Sequence, residues 1–187
     1  MSSTPCNQRW KKISRRIRVP LGFLSVIFYL WFGHPMWHSL LLSLILVVPG
    51  ILLRSYASGH VTKNVQLTTT GPYRYTRNPL YFGSILIAFG FAIAARSVWV
   101  ALAFLVLFLI IYWPVIVDEE EYLRATFPDY DAYAARVPRL IPRLGRSLPG
   151  GQGKFSFQLY RKHREYNSIL GAVCMYLVLV ARIFLWH

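Results

Sequence analysis

Four long stretches of this chain contain no lysine, arginine, aspartate or glutamate. They run from Val19 to Leu53, Asn78 to Ala95, Ser97 to Val117 and Tyr166 to Ala181, and the last continues past Arg182 as Ile-Phe-Leu-Trp. A bilayer core takes roughly 20 apolar residues per helix, with 17 to 25 tolerated. Inside it the backbone must satisfy its own hydrogen bonds, which leaves helices as the form for such stretches. The second, third and fourth stretches each suit one span. The first is too long for one and is broken at Gly33-His34-Pro35, so it reads as two short helices and a turn, with little tilt or a locally thinned bilayer. The predicted fold is an all-α integral membrane protein with five transmembrane helices. Only 15% of the residues are charged, against about 25% for a soluble domain. An ordinary soluble domain and intrinsic disorder are both excluded.

Basic residues precede the first apolar run, as in a signal peptide. No small-x-small cleavage site follows and further spans come after it, so it reads as a retained first helix. All seven acids lie between Asp118 and Glu165, while Lys and Arg concentrate as six in 9–18, four in 54–77 and nine in 124–164. With five helices these three segments share one side, which the positive-inside rule makes cytoplasmic, with His187 opposite. The chain then forms one membrane domain over 1–187. Its parts are a basic N-terminus (1–18), a helical hairpin (19–53), a cytoplasmic loop (54–78), a second hairpin (79–117), a cytoplasmic segment (118–165) and a final helix (166–187). The net charge of +14 reads as topology signal and attraction to anionic lipid headgroups rather than to nucleic acid. Cys6 and Cys174 lie too far apart in sequence and context for a disulfide scaffold or a cysteine zinc site, and no metal site is expected.

No internal repeat and no charged residue within the first four spans suggests a transporter. Pro49-Gly50 and Pro114 are expected to kink their helices, and chemistry is expected at the cytoplasmic face. One segment there is Gly71-Pro72-Tyr73-Arg74-Tyr75-Thr76-Arg77-Asn78-Pro79-Leu80-Tyr81-Phe82-Gly83. Gly71-Pro72 predicts a turn. Asn78 predicts a helix cap, with Pro79 in the first turn. Arg74 and Arg77 beside a helix N-terminus suit a carboxylate or phosphate. The same residues equally suit an interfacial belt that anchors a helix end.

The second segment begins Asp118-Glu119-Glu120-Glu121, where the third stretch ends. Acids at a helix C-terminus oppose the macrodipole. They call for a helix that runs on, for partners such as Arg74, Arg77 or Arg139, or for hydroxyl or cationic groups of a cofactor. Downstream, Phe127-Pro128-Asp129-Tyr130-Asp131-Ala132-Tyr133 and Val137-Pro138-Arg139-Leu140-Ile141-Pro142 read as a lid or a short amphipathic segment on the membrane.

Together, Gly-Pro-Tyr-Arg-x-x-Arg-Asn-Pro-x-Tyr-x-Gly, Glu-Glu-x-x-Leu-x-x-x-Phe, Tyr-x-x-Tyr and Val-Pro-Arg-x-Ile-Pro resemble the isoprenylcysteine carboxyl methyltransferase family over about residues 60 to 145. They are also similar to the related phospholipid N-methyltransferases. The resemblance, to bacterial members with a further C-terminal helix, implies a bacterial inner-membrane methyltransferase using S-adenosylmethionine in a small cytoplasm-facing chamber. It implies Tyr73, Arg77, Asn78, Pro79 and Tyr81 on one wall and Glu119, Glu120, Tyr130, Tyr133 and Arg139 on the other. Arg77, Tyr81 and Glu120 are the expected catalytic residues. Many family members carry His where this chain has Asn78, which donates a hydrogen bond but does not titrate.

Methyl transfer from a sulfonium is an in-line displacement that depends on alignment. A carboxylate acceptor needs no base, whereas an amine needs Glu119 or Glu120. Asn78 favours a carboxylate, thiolate or other anionic group on a lipophilic acceptor, either a small molecule or a lipid-modified substrate. The alternatives are phospholipid N-methylation, a nicotinamide-dependent reductase of the sterol-reductase type, and a membrane scaffold without catalysis.

Overall fold

A computed structural model describes residues 26–61, 66–143 and 153–185. The N-terminal basic cluster, Cys6, the start of the first helix and His187 lie outside the described residues. Every regular element within them is helical. Helix α1 occupies 26–32 of the described chain. It is followed by α2 (Trp37–Ser58), a 3-10 turn (Gly71–Arg74), α3 (Pro79–Ala95) and α4 (Val98–Leu107). A π-turn (Phe108–Tyr112) joins α4 to α5 (Trp113–Thr126), and α6 (Tyr130–Arg136), α7 (Phe157–Lys162) and α8 (Tyr166–Leu185) complete the order.

Three of these helices are long and apolar enough to cross a membrane: α2 with 22 residues, the continuous Val98–Thr126 with 29, and α8 with 20. The 17 residues of α3 form a shorter apolar helix, about 26 Å long at 1.5 Å per residue. Large apolar side chains such as Leu41, Ile45, Leu52, Leu109 and Ile110 are exposed, as expected of a surface solvated by lipid.

The turn between α1 and α2 meets the turn after α3, where the His34 N–H donates to the Ala95 carbonyl at 2.8 Å. Tyr29 of α1, Leu40 and Val47 of α2, Phe91 of α3 and Leu179 and Ile183 of α8 share one buried cluster. The Tyr29 hydroxyl donates to the Phe91 carbonyl at 2.9 Å, which satisfies a polar group inside that core. Helices α2 and α3 approach backbone to backbone. A Cβ on Gly50 would stand 2.8 Å from the Gly83 carbonyl oxygen, and one on Gly83 equally close to that of Gly50. Larger residues at either position would part the hairpin.

One alternative is decided and one expectation is corrected. Of the readings open for the acids at 118–121, the helix that runs on holds. Leu123 and Ala125 continue it to Thr126, so the macrodipole conflict does not arise there. Asn78 precedes α3, with Pro79 in its first turn, but its side chain makes no capping bond. The carboxamide turns instead to acceptors on other segments. Pro114 lies just beyond the π-turn, where the Trp113 N–H donates to the Phe108 carbonyl. A proline ring crowds the preceding turn and lacks a donor, and a wide turn is a known way to absorb both.

Candidate functional site

The end of the bundle opposite the His34–Ala95 contact carries the two sequence motifs. Gly71 begins the 3-10 turn at φ 58°. A Cβ there would lie 2.7 Å from the His60 ring, so both conformation and space call for glycine. From that turn the chain passes Thr76, Arg77 and Asn78 into α3. The strap after α6 lies alongside it. The Arg77 N–H donates to the Pro138 carbonyl at 2.9 Å and the Arg143 N–H to that of Tyr75 at 3.2 Å. The Thr76 hydroxyl donates to the Leu140 carbonyl at 2.8 Å. The Val137-Pro138-Arg139 run is thus a clasp on the first motif.

Glu120 sits where the segments converge and is 3% exposed. Its Oε1 accepts from Asn78 Nδ2 at 3.1 Å. Its Oε2 accepts from Arg77 Nη1 at 3.2 Å and from Arg139 Nε and Nη2, each at 3.0 Å. Asn78 Nδ2 also donates to the Arg139 carbonyl at 2.9 Å. Arg77 Nη1 reaches the Tyr130 hydroxyl at 3.3 Å. The buried Arg77 Nε has no hydrogen-bond partner among the described residues. A buried, unmatched donor costs about 1–3 kcal/mol, and here it belongs to a cation beside the cavity.

Glu119, next along the helix, is exposed and accepts from the Tyr81 hydroxyl at 3.0 Å. The rings of Tyr81 and Tyr112 meet edge-on with centroids 6.0 Å apart. On α6 the Tyr130 and Tyr133 rings also meet edge-on, at 6.1 Å. The Tyr133 hydroxyl donates to the Tyr73 carbonyl at 2.8 Å. Burial pushes the phenols of Tyr73 and Tyr133 well above the ordinary tyrosine range, with Glu119 adding to the first and Tyr130 to the second. Burial, then the charge of Glu120, raises that of Tyr130. All three are neutral phenols near neutral pH.

These groups surround a cavity of about 400 Å³, within the ordinary size of small-molecule sites. The structure brings Tyr73, Arg77, Asn78, Pro79, Tyr81, Glu119, Glu120, Tyr130 and Tyr133 to its wall. Arg139 stands behind, paired to Glu120 and over the Trp113 ring at 5.5 Å. Arg54, Ser84, Tyr112 and Glu165 also line the cavity and were missed in the sequence. Arg54 closes the first apolar stretch and Glu165 is the last acid before the fourth, so both were visible only as boundary charges. Glu120 is ion-paired to Arg77 and Arg139 and Glu165 to Arg54, so exposed Glu119, bonded to Tyr81, is the carboxylate in this lining that suits a ligand bearing positive charge. A larger recess of about 720 Å³ lies at the other end, lined mainly by apolar groups such as Ile27, Leu30 and Trp31. It holds neither motif. Among the described residues no group of three or more His, Cys, Asp or Glu is placed to hold a metal ion.

The family model for phospholipid methyltransferases matches residues 39–130, the stretch from α2 to the first residue of α6. That family takes in isoprenylcysteine carboxyl methyltransferase-like proteins. The chain is similar to the cobalt-zinc-cadmium resistance protein CzcN of Cupriavidus metallidurans, 34% identical over 64% of this chain and 59% of that protein. It is also similar to the nickel-cobalt-cadmium resistance protein NccN of Alcaligenes xylosoxydans xylosoxydans, 32% identical over 60% of this chain and 57% of that protein. The chain thus spans less than three fifths of the length of these relatives. No solved structure matches it.

Proposed function

We propose that this integral membrane protein, which belongs to the phospholipid methyltransferase family through residues 39–130, is a methyltransferase that uses S-adenosylmethionine on a lipophilic acceptor. One observation carries the reading. Two motifs, one entering and one leaving the α3–α5 hairpin, are tied through Glu120 into the wall of one cavity.

The residues fit the cofactor in kind. Arg77, with a buried donor unmatched among the described residues, and the open first turn of α3 suit a carboxylate. Glu119, exposed beside Tyr81, suits a ribose diol or a positive group. Tyr73, Tyr112, Phe127 and Tyr130 supply aromatic walls. When bound, S-adenosylmethionine supplies the methyl group as an electrophilic sulfonium.

The chain's own part is alignment and exclusion of water. Glu120 holds Arg77, Asn78 and Arg139 in fixed geometry and has partners on both oxygens, so it acts as a positioning group rather than a base. Tyr81 stands at the first turn of α3 and orients Glu119. Packing of the aromatic walls around reacting charges lowers the local dielectric, which strengthens their interaction. With Asn78 unable to take a proton, an anionic acceptor that needs no base fits best. Phospholipid N-methylation is the second reading, favoured by the family match and by exposed Glu119 as the available base. The site would face the cytoplasm, with anionic headgroups holding the basic loops.

The test is incubation of purified protein with labelled S-adenosylmethionine and a bacterial lipid extract, followed by identification of the labelled product. A labelled lipid whose yield falls in Tyr81→Phe and in Arg77→Lys supports the reading. Absence of both transfer and S-adenosylhomocysteine binding overturns it.

A further inference from the structure

A second polar cluster lies in the same cavity, deeper toward the apolar body of the bundle, and neither motif accounts for it. Arg54, in the last turns of α2, donates through Nη1 to the Leu80 carbonyl at 3.2 Å and to Ser84 Oγ. Its other edge faces Glu165. Nε lies 3.2 Å from Oε2, and Nη2 lies 3.1 Å from Oε1 and 2.9 Å from Oε2. The side chains are 21% and 12% exposed, and both line the cavity beside Leu80, Tyr81 and Tyr112. Ser84, on α3, stands about one and two-thirds turns beyond Asn78, about 9 Å along the helix at 1.5 Å per residue.

We infer that Arg54 reads the anionic head of a membrane-borne acceptor, and that Glu165 occupies its fork as an internal competitor. The inference rests on the methyltransferase reading for the word acceptor. The ligand chemistry is a carboxylate or phosphate monoester on an apolar chain.

Three features carry it. First, the Nε–Nη2 edge with two oxygens opposite is the bidentate arrangement that a guanidinium makes with carboxylate or phosphate. Glu165 shows that the edge accepts an oxyanion in place. Second, the opposite edge is fixed to α3 through Leu80 and Ser84, so the fork keeps its direction when Glu165 leaves. Arg77, the other cation in the lining, is held by Glu120 and Tyr130. Third, one oxyanion replacing another keeps Arg54 paired, which avoids the penalty of a lone buried charge. Glu165 sits on the elbow between α7 and α8, next to Arg164 in the left-handed region at φ 53°. Arg164 and Tyr166 on either side are exposed, so the displaced carboxylate has room to turn outward from the cavity.

The test uses the full chain in a neutral maltoside detergent. Laurate and dodecyl phosphate are titrated by thermal shift, with dodecanol as the uncharged control. Removal of an internal competitor raises the competent fraction and so tightens the apparent Kd. Glu165→Gln is expected to bind the anionic amphiphile about 5-fold tighter or more. Arg54→Gln is expected to bind it about 10-fold weaker or more, and Arg54→Lys to fall between, because a point charge cannot form the fork. A response to laurate alone assigns a carboxylate head, and one to dodecyl phosphate alone a phosphate; either supports the site.

A pair that merely ties helices together would move Glu165→Gln and Arg54→Gln in the same direction, and that result overturns the inference. Dodecanol binding as well as laurate does the same. S-adenosylhomocysteine is titrated in parallel on the unaltered chain. If it gives no shift while the order of amphiphile affinities holds, the methyltransferase reading fails and the Arg54 anion site stands. If it binds while the order is lost, only the Arg54 site fails.

Discussion

The Asn78 carboxamide donates to Glu120 Oε1 at 3.1 Å, across 42 residues of sequence and from the start of one helix to the buried face of another. That bond, with the donation to the Arg139 carbonyl, takes both donors of a single amide. Asn78→Asp would replace a donor with an acceptor against a buried carboxylate. Like charges at this separation in a partly dry site cost several kcal/mol, and breaking such a buried arrangement typically costs about 3–5 kcal/mol. Asn78→His retains a ring donor and is expected to lose no more than about 1.5 kcal/mol. Melting of the three proteins in detergent decides the matter. Equal stability of Asn78→Asp and the unaltered chain would show that this bond does not hold the motifs together.

Glu119 and Glu120 are neighbours in sequence with different surroundings. Glu120 is buried under two guanidiniums and an amide, whereas Glu119 is exposed and touches Tyr81. Glu120→Ala should therefore lose about 3–5 kcal/mol by leaving Arg77 and Arg139 without their shared carboxylate. Glu119→Gln should change stability by no more than about 0.5 kcal/mol yet reduce the stabilisation given by S-adenosylhomocysteine. A ligand bound at 100 times its Kd stabilises by about 2.7 kcal/mol, so a tenfold loss of affinity is measurable as a smaller shift. An undiminished shift in Glu119→Gln would remove that residue from the ligand contact.

The charge-free stretches made the membrane helices legible, because chain length inside a bilayer is a simple geometric demand. The site was legible in part for a similar reason. Residues such as Asn78 with Pro79, and Glu119 with Glu120, have few uses at the ends of apolar helices. The roles within the pair were not legible. A turn of about 100° per residue separates Glu119 from Glu120, and only packing determines which of them is buried. The capping role expected of Asn78 failed because a carboxylate outside its own helix competes for the same amide. Arg54 and Glu165 were hidden because a charge at the edge of an apolar stretch looks the same whether it anchors a helix or faces a cavity.

Alkaline pH gives a separate test of the clasp. The phenols of Tyr73 and Tyr133 are raised above their ordinary value, chiefly by burial. An unfolded tyrosine loses its proton near pH 10. Their contribution is therefore complete below about pH 10 and is lost as the pH climbs toward the folded values. The melting temperature should fall more steeply above about pH 10 than below it. Tyr133→Phe removes the bond to the Tyr73 carbonyl, costing about 0.5–1.5 kcal/mol near neutrality, and should flatten the alkaline fall. An unchanged alkaline slope in Tyr133→Phe would show that this phenol does not titrate with unfolding.

Topology gives another. Thr68 lines the cavity and Arg96 ends α3 at the opposite turn. In a background of Cys6→Ser and Cys174→Ser, single cysteines at these two positions should label from opposite faces of the membrane, with position 68 reached only from the cytoplasm. Labelling of both from one face contradicts the crossing of α3. Labelling of position 68 from outside reverses the orientation proposed for the site.

Arg77 and Tyr81 separate anchoring from chemistry. Arg77 Nη1 donates to Glu120 at 3.2 Å and to Tyr130 at 3.3 Å, and its Nε adds a buried donor without a partner among the described residues. A lysine would keep the charge near Glu120 but would lose the planar set of donors. Arg77→Lys is therefore expected to fold and to lose most of its methyl transfer and much of its S-adenosylhomocysteine affinity. Tyr81 differs, because its hydroxyl meets exposed Glu119 rather than the buried cluster. Tyr81→Phe should keep the fold. Loss of one hydrogen bond costs about 0.5–1.5 kcal/mol, and up to about 3 where the partner is charged, so turnover should fall about 2- to 100-fold. Steady-state transfer and ligand affinity are to be measured for each variant. Full transfer in Arg77→Lys would reduce that residue to a helix anchor. A large rise in KM with unchanged kcat in Tyr81→Phe would move the hydroxyl from the reacting centre to ground-state binding.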